Sequence, residues 1–235
     1  MNKMKATFLS LTKFEIGLWI FSLVIVSGSF LIFHSKDILT LIASLIGVTA
    51  LIFVAKGNAL GQILTIVFAV FYGIISFGCR YYGEMITYLG MTAPMALVAF
   101  INWLRHPYKD SAEVEVSSIS KKQLLFMILS SIGVTALFYF ILRELGNASL
   151  VISTVSITTS YLASYLTAIR SPYYALAYAA NDVILIILWI IASVQNINNT
   201  PMIACFVMFF ANDMYGFFNW RRMKKHQNRE RKSAE

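Results

Sequence analysis

Apolar residues along this chain do not alternate with polar ones but run together. Eight largely apolar stretches, at residues 14–33, 38–55, 59–77, 85–104, 124–142, 150–169, 173–194 and 201–218, each come close to the roughly 20 residues that an α-helix needs to cross hydrocarbon at about 1.5 Å per residue. The first is too long for a cleavable signal, and Phe30, Leu31 and Phe33 stand where a cleavage site needs small residues. The pattern predicts an all-α integral membrane protein with eight transmembrane helices. Composition agrees: 58% of the 235 residues are hydrophobic and 13% charged, with a mean hydropathy of +0.71, far from the averages of soluble domains.

Charge tests the number of spans independently, because cytoplasmic segments gather Lys and Arg. With the N-terminus inside, sixteen of the nineteen Lys and Arg fall on the cytoplasmic side, and only Lys36, Arg80 and Arg143 fall outside. Seven spans would strand one basic terminus on the wrong side. The net charge of +8, with seven cations in the last fifteen residues, is then explained by a topogenic tail beside anionic headgroups, so no nucleic acid is expected as a partner. Cys79 and Cys205 give neither a disulfide framework nor metal spacing. Both sit near the outer face, where pairing is conceivable and two free thiols are the simpler expectation.

The two halves of the chain echo each other. Asn102-Trp103 closes the fourth span and Asn219-Trp220 the eighth, and Glu84 and Pro201 each precede their Trp by nineteen residues. Lys56 and Arg170, each in a short cytoplasmic turn, precede the same tryptophans by 47 and 50 residues. Spans 2 to 4 and 6 to 8 thus form two three-helix units with span 5 between them and span 1 outside. An odd number of spans separates the units, so they run parallel, and parallel repeats hold a solute at their interface. The segments expected are 1–36 (tail and extra helix), 37–106 (first unit), 107–145 (loop and linker helix), 146–222 (second unit) and 223–235 (basic tail). The two tryptophans themselves are expected to be interfacial anchors.

Tyr82-Gly83-Glu84, Asn102-Trp103, Asn181-Asp182 with Trp189, and the run from Asn212-Asp213-Met214-Tyr215-Gly216 to Asn219-Trp220 resemble the PnuC family of vitamin transporters over residues 37–222. The resemblance implies a 3+1+3 fold like that of the sugar-transporting SWEET proteins, preceded by an extra helix. It also implies facilitated uptake of nicotinamide riboside across a bacterial inner membrane, with both termini cytoplasmic, and a homo-oligomer, a trimer in that family. Relatives of this pattern carry thiamine or riboflavin, so the vitamin is less fixed than the fold.

Polar groups inside the spans point to chemistry independently of family. Asp182 lies nine residues into the seventh span and Asp213 twelve into the eighth, where an ionisable side chain costs on the order of 3 kcal/mol and is retained for function. A protonated Asp bonded to a neighbouring helix is the bland alternative. Helical spacing gathers Met208, Asn212, Tyr215 and Asn219 into one stripe flanked by Asp213, and sets Trp189 on the face of Asp182 with Asn181 beside it. Thr154, Thr158, Tyr161 and Tyr165 line the sixth span, and Asn58, Gln62, Thr65, Ala69, Tyr72 and Ser76 the third. Such stripes also serve as glue between helices. The solute-binding residues expected are Trp189, Asn212, Asn181, Asp182, Asp213, Tyr215, Gln62, Tyr72, Thr158 and Tyr161. Carboxylates and amides suit sugar hydroxyls and a carboxamide, and a Trp face suits a cationic ring.

No phosphate-binding Gly loop and no metal-ligand cluster occurs, so neither ATP hydrolysis, a cofactor nor a metal is expected. His34 and His106 sit at span ends and His226 in the tail. The competing class is an intramembrane lipid-modifying enzyme with Asp182 and Asp213 as acid and base. It is disfavoured because its carboxylates should cluster at the membrane surface. A channel is disfavoured by the bulky Tyr and Trp in the stripes.

Overall fold

The computed structural model describes residues 11–35, 37–109 and 111–234. Among these, eight helices are long and apolar enough to cross a membrane: α1 (Lys13–Ile32), α2 (Ile38–Ala55), α3 (Leu60–Gly78), α4 (Tyr82–Arg105), α5 (Lys121–Glu144), α6 (Leu150–Ala168), α7 (Tyr174–Gln195) and α8 (Thr200–Ala234). The spans read from hydropathy recur within a few residues, except that α8 continues through the basic tail instead of ending near 218. Lys3, Lys5 and Lys36, used in the charge partition, lie outside the described residues.

A side-chain cap fixes where α1 begins. Thr12 and Glu15 form a reciprocal cap at the start of α1, with Glu15 N donating to Thr12 Oγ1 at 3.2 Å and Thr12 N to Glu15 Oε2 at 2.6 Å. Glu15 is fully buried. It also pairs with Lys56 at 3.5 Å and accepts from the Tyr215 hydroxyl at 2.7 Å. These contacts, with Trp19 Nε1 donating to Thr49 Oγ1 at 3.0 Å, tie the extra helix to α2 and α8.

Helices α2 and α6, the first helices of the two units expected from the sequence, end alike. After α2, Gly57 adopts φ +70°, and after α6, Arg170 adopts φ +60°, the left-handed cap that lets the following amides bond back to the helix, Asn58 N to Phe53 O and Ser171 N to Leu166 O, each at 2.9 Å. At this basic end the loop between α4 and α5 crosses both turns: Val114 N donates to Gly57 O and Ser117 N to Arg170 O, each at 3.0 Å. Glu113 and Glu115 reach Lys56 and Arg170 at 3.8 and 3.9 Å.

In α4, residues Thr87–Thr92 widen into a π-helical turn, with Ala93 N bonding Tyr88 O five residues back. Pro94 explains the widening, since a regular turn would drive its ring into the carbonyl four residues earlier. The consequence is functional. The extra residue turns Tyr88 and Thr92 into the interior, where both are buried. Close approach of backbones does the rest: a Cβ on Gly61 would lie 2.6 Å from Val54 N, so α2 and α3 touch where only glycine fits.

Two aromatic clusters fill the bundle. One, away from the basic end, gathers Phe68, Tyr72, Tyr81, Tyr88, Trp189, Phe206 and Phe209. The other gathers Trp103, Tyr174 and Trp220 with Val54 and Val114 at the basic end. Cys79 and Cys205 are both free. Burial, with a smaller effect from Asp37, pushes the Cys79 thiol above its ordinary value and keeps it a thiol.

Candidate functional site

Between the two aromatic clusters lies a cavity of about 50 Å³. Every helix of the two units contributes to it: Gly47 and Val54 from α2, Gln62, Thr65 and Phe68 from α3, Tyr88 and Thr92 from α4, Thr167 from α6, Tyr178 and Asp182 from α7, and Phe209 and Asp213 from α8. Neither α1 nor α5 reaches it. Asp182 and Asp213 both line it, from α7 and α8, a patch of acceptors in which a proton or a solute cation can sit. Gln62 Nε2 and Asp182 Oδ2 are buried with no partner. In a folded protein such orphaned groups are rare. A polar solute would supply what they lack, and the lining holds no Lys or Arg to meet an anion.

Aromatic plugs close the cavity at both ends. At the basic end the plug is reciprocal: Asn102 Nδ2 and Trp103 Nε1, from α4, donate to Ala168 O and Thr167 O of α6 at 2.7 and 3.1 Å. From α8, Asn219 Nδ2 and Trp220 Nε1 donate to Ala55 O and Val54 O of α2, each at 2.9 Å. Each unit's last helix thus caps the first helix of the other, and the two indoles meet at 5.2 Å. Both rings are buried, at 2% and 0% exposure. The expectation of interfacial anchors is therefore corrected: the indole N–H groups are spent on helix-end carbonyls, not on the headgroup layer. At the other end Trp189 Nε1 donates to the Tyr72 hydroxyl at 2.9 Å, and Tyr72 packs on Tyr88 at 4.3 Å. Trp189 also lines a vestibule at this end with Asp37, Cys79 and Asn198, so a thin aromatic layer separates vestibule from cavity.

Residues 37–222 match the family model described as nicotinamide mononucleotide transporter. The chain belongs to that transporter family. Two relatives named nicotinamide riboside transporter PnuC are each 24% identical to it: one from Neisseria mucosa over 92% of this chain and 84% of its own, one from Haemophilus influenzae over 81% and 82%. A crystal structure described as the vitamin B3 transporter PnuC superposes with a TM-score of 0.81 at 25% identity, covering 93% of this chain and 94% of that one. The all-helical membrane fold read from the sequence is thus the fold of the family.

The ten residues singled out from this transporter's sequence separate into groups. Gln62, Asp182 and Asp213 line the cavity, and Tyr72 and Trp189 form the plug away from the basic end. Asn181 lies one step round α7 from Asp182, and its Oδ1 accepts from Ser156 at 3.1 Å and Thr159 at 2.7 Å. The other four face elsewhere. Asn212 donates to Ser22 Oγ of α1 at 3.0 Å, and Tyr215 points to Glu15. Thr158 meets Thr135 at 2.7 Å and Tyr161 donates to Ser130 at 2.7 Å, both on α5, so the stripe on the sixth span joins α6 to the linker helix. Sequence reasoning passed over Tyr88, Thr92 and Tyr178 in the cavity. It read Glu84 as a helix start and as part of the Tyr82-Gly83-Glu84 segment, not as a buried group, whereas Glu84 is fully buried and accepts from Ser156 at 3.2 Å. Pro94 was the available signal for the first two, since a proline inside a span announces a local change of helix.

Proposed function

We propose that this chain carries nicotinamide riboside across a bacterial inner membrane by facilitated diffusion with alternating access, phosphorylation inside the cell trapping the solute. The cavity carries the reading. It lies where the six helices of units 37–106 and 146–222 meet, and its polar lining is two carboxyls, an amide and hydroxyls without a basic residue. Nicotinamide riboside presents a pyridinium cation, a carboxamide and ribose hydroxyls, which match that lining group for group. The two relatives are named for this solute. The family description names the mononucleotide instead, whose phosphate would meet Asp182 and Asp213 with no countercharge, and on that ground the riboside is the better fit.

A cavity of about 50 Å³ holds water but not a nucleoside, since small-molecule sites span roughly 300–1,000 Å³. Entry of the solute therefore requires the helices to part. The Asn–Trp plug and the Trp189–Tyr72 plug are the two gates, and transport opens one while the other stays shut. The decisive assay is uptake by purified protein in liposomes: labelled nicotinamide riboside equilibrates across the bilayer and is recovered unaltered. Uptake no faster than in empty liposomes would refute the reading, and recovery of a modified product would favour an enzyme.

Lys56, Arg105, Arg170 and the α8 tail share one end of the bundle, and the charge bias assigns that end to the cytoplasm with both termini. A Lys232→Cys variant is expected to stay unmodified by membrane-impermeant thiol reagents in intact cells and to react after permeabilisation. Labelling in intact cells would reverse the orientation.

A further inference from the structure

Beyond its apolar part α8 has two faces. On one, Met223 and Gln227 are buried; Gln227 donates to Val114 O at 3.1 Å and accepts from Val116 N at 2.8 Å, and Glu230 accepts from Tyr108 at 2.6 Å and pairs with Lys109. This face is fully docked on the loop between α4 and α5. The other face carries Arg221, Lys224, Lys225, Arg229 and Lys232, whose spacing of i, i+3, i+4, i+8 and i+11 puts them on one stripe.

These five cations line an open groove of about 610 Å³ with Pro172, Tyr173, Arg222 and Asn228, and no acidic residue borders it. The nearby acids are engaged on the docked side: Glu230 with Lys109 and His226, Glu115 with Arg170 and Arg231. Among the described residues none of the five makes an ion pair. Arg221, Lys225 and Arg229 stand at successive i, i+4 positions, where like charges destabilise a helix. Topogenesis does not explain the alignment, because the positive-inside bias counts cations and is indifferent to the face they occupy. An anion in the groove would relieve the repulsion.

The foot of the groove marks where that anion comes from. The Arg221 guanidinium lies 5.5 Å over the Phe217 ring, the Tyr173 ring is 6.2 Å from Phe217, and the neighbouring Phe218 is 62% exposed as a lipid-facing residue is. Arg221 to Lys225 rises about 6 Å along the helix axis, close to the thickness of one headgroup layer of roughly 5–8 Å. The geometry points to a site for the headgroup of an anionic phospholipid, its phosphate held at Arg221 and Lys225 beside Tyr173, with Arg229 and Lys232 adding attraction from above.

Native mass spectrometry of the purified full chain with an equimolar mixture of phosphatidylglycerol and phosphatidylcholine tests this. Each basic residue at a membrane surface contributes a factor of about five, so wild type retains phosphatidylglycerol at least about tenfold over phosphatidylcholine. The triple variant Arg221→Gln, Lys225→Gln, Arg229→Gln retains the two nearly equally. A control with the same loss of charge elsewhere, Arg105→Gln, Lys121→Gln, Lys122→Gln, keeps the preference. Equal retention by wild type, a preference that survives the triple variant, or an equal drop in the control would each overturn the lipid site. So would saturation by inorganic phosphate or a short oligonucleotide in place of lipid, which would make the groove a site for soluble anions.

Discussion

Asp182→Asn weakens binding of nicotinamide riboside by roughly thirtyfold, the loss of about 2 kcal/mol expected when a buried charge-assisted contact is replaced by a neutral one. The side chain keeps its shape, so packing against α8 survives and the change falls on electrostatics. The reduced, uncharged dihydronicotinamide riboside has the same sugar and carboxamide but no pyridinium charge, and its affinity changes by only a few-fold. Asp213→Asn behaves alike, because the two carboxyls border the same cavity. Calorimetric titration of wild type and variants with both ligands is the check. Equal losses for the charged and uncharged ligands would mean that the aspartates serve as hydrogen-bond acceptors and that charge plays no part in selection.

Trp220→Ala removes a fully buried ring that packs on Trp103 at 5.2 Å and on Tyr174 at 4.8 Å. Truncation of a buried Trp costs about 3–5 kcal/mol, so a marked fall in melting temperature in detergent is expected. Trp220→Phe keeps most of the ring contact and loses only the bond to Val54 O, about 1 kcal/mol. Its melting temperature should fall between the two. If Trp220→Ala melts within a degree of wild type, the Asn–Trp plug is not the joint between the units that its geometry describes.

Much of the fold was legible because the bilayer imposes it. A span must be about 20 apolar residues long whatever it packs against, so eight helices could be read from hydropathy and cross-checked by the Lys and Arg partition. That Asp182 and Asp213 lie within spans was legible for the same reason, and the recurrence of Asn-Trp at residues 102–103 and 219–220 could be read directly. The destination of each polar face was not. Asn212, Tyr215, Thr158 and Tyr161 sit at helical spacing from site residues, but α1 and α5 lie outside the two units and turn those faces into seams. Period alone cannot say which neighbour a face meets. The burial of Glu84 was not legible because a carboxylate at the edge of an apolar run reads as the start of a span. The tryptophans were taken for anchors because an indole at a span end satisfies that rule equally well, and only the distances to Thr167 O and Val54 O tell the two apart.

If the cavity between α2–α4 and α6–α8 takes the riboside and excludes anions, titration of purified wild-type protein with nicotinamide riboside and, separately, with its 5′-phosphate tells the two solutes apart. A phosphate dianion placed beside Asp182 and Asp213 meets repulsion that water screens poorly at this depth, and the lining offers no Lys or Arg in return. The account predicts binding of the riboside at least about a hundredfold tighter than the phosphate, a difference of roughly 2.7 kcal/mol. Phosphate binding as tight as that of the riboside, or tighter, would contradict it.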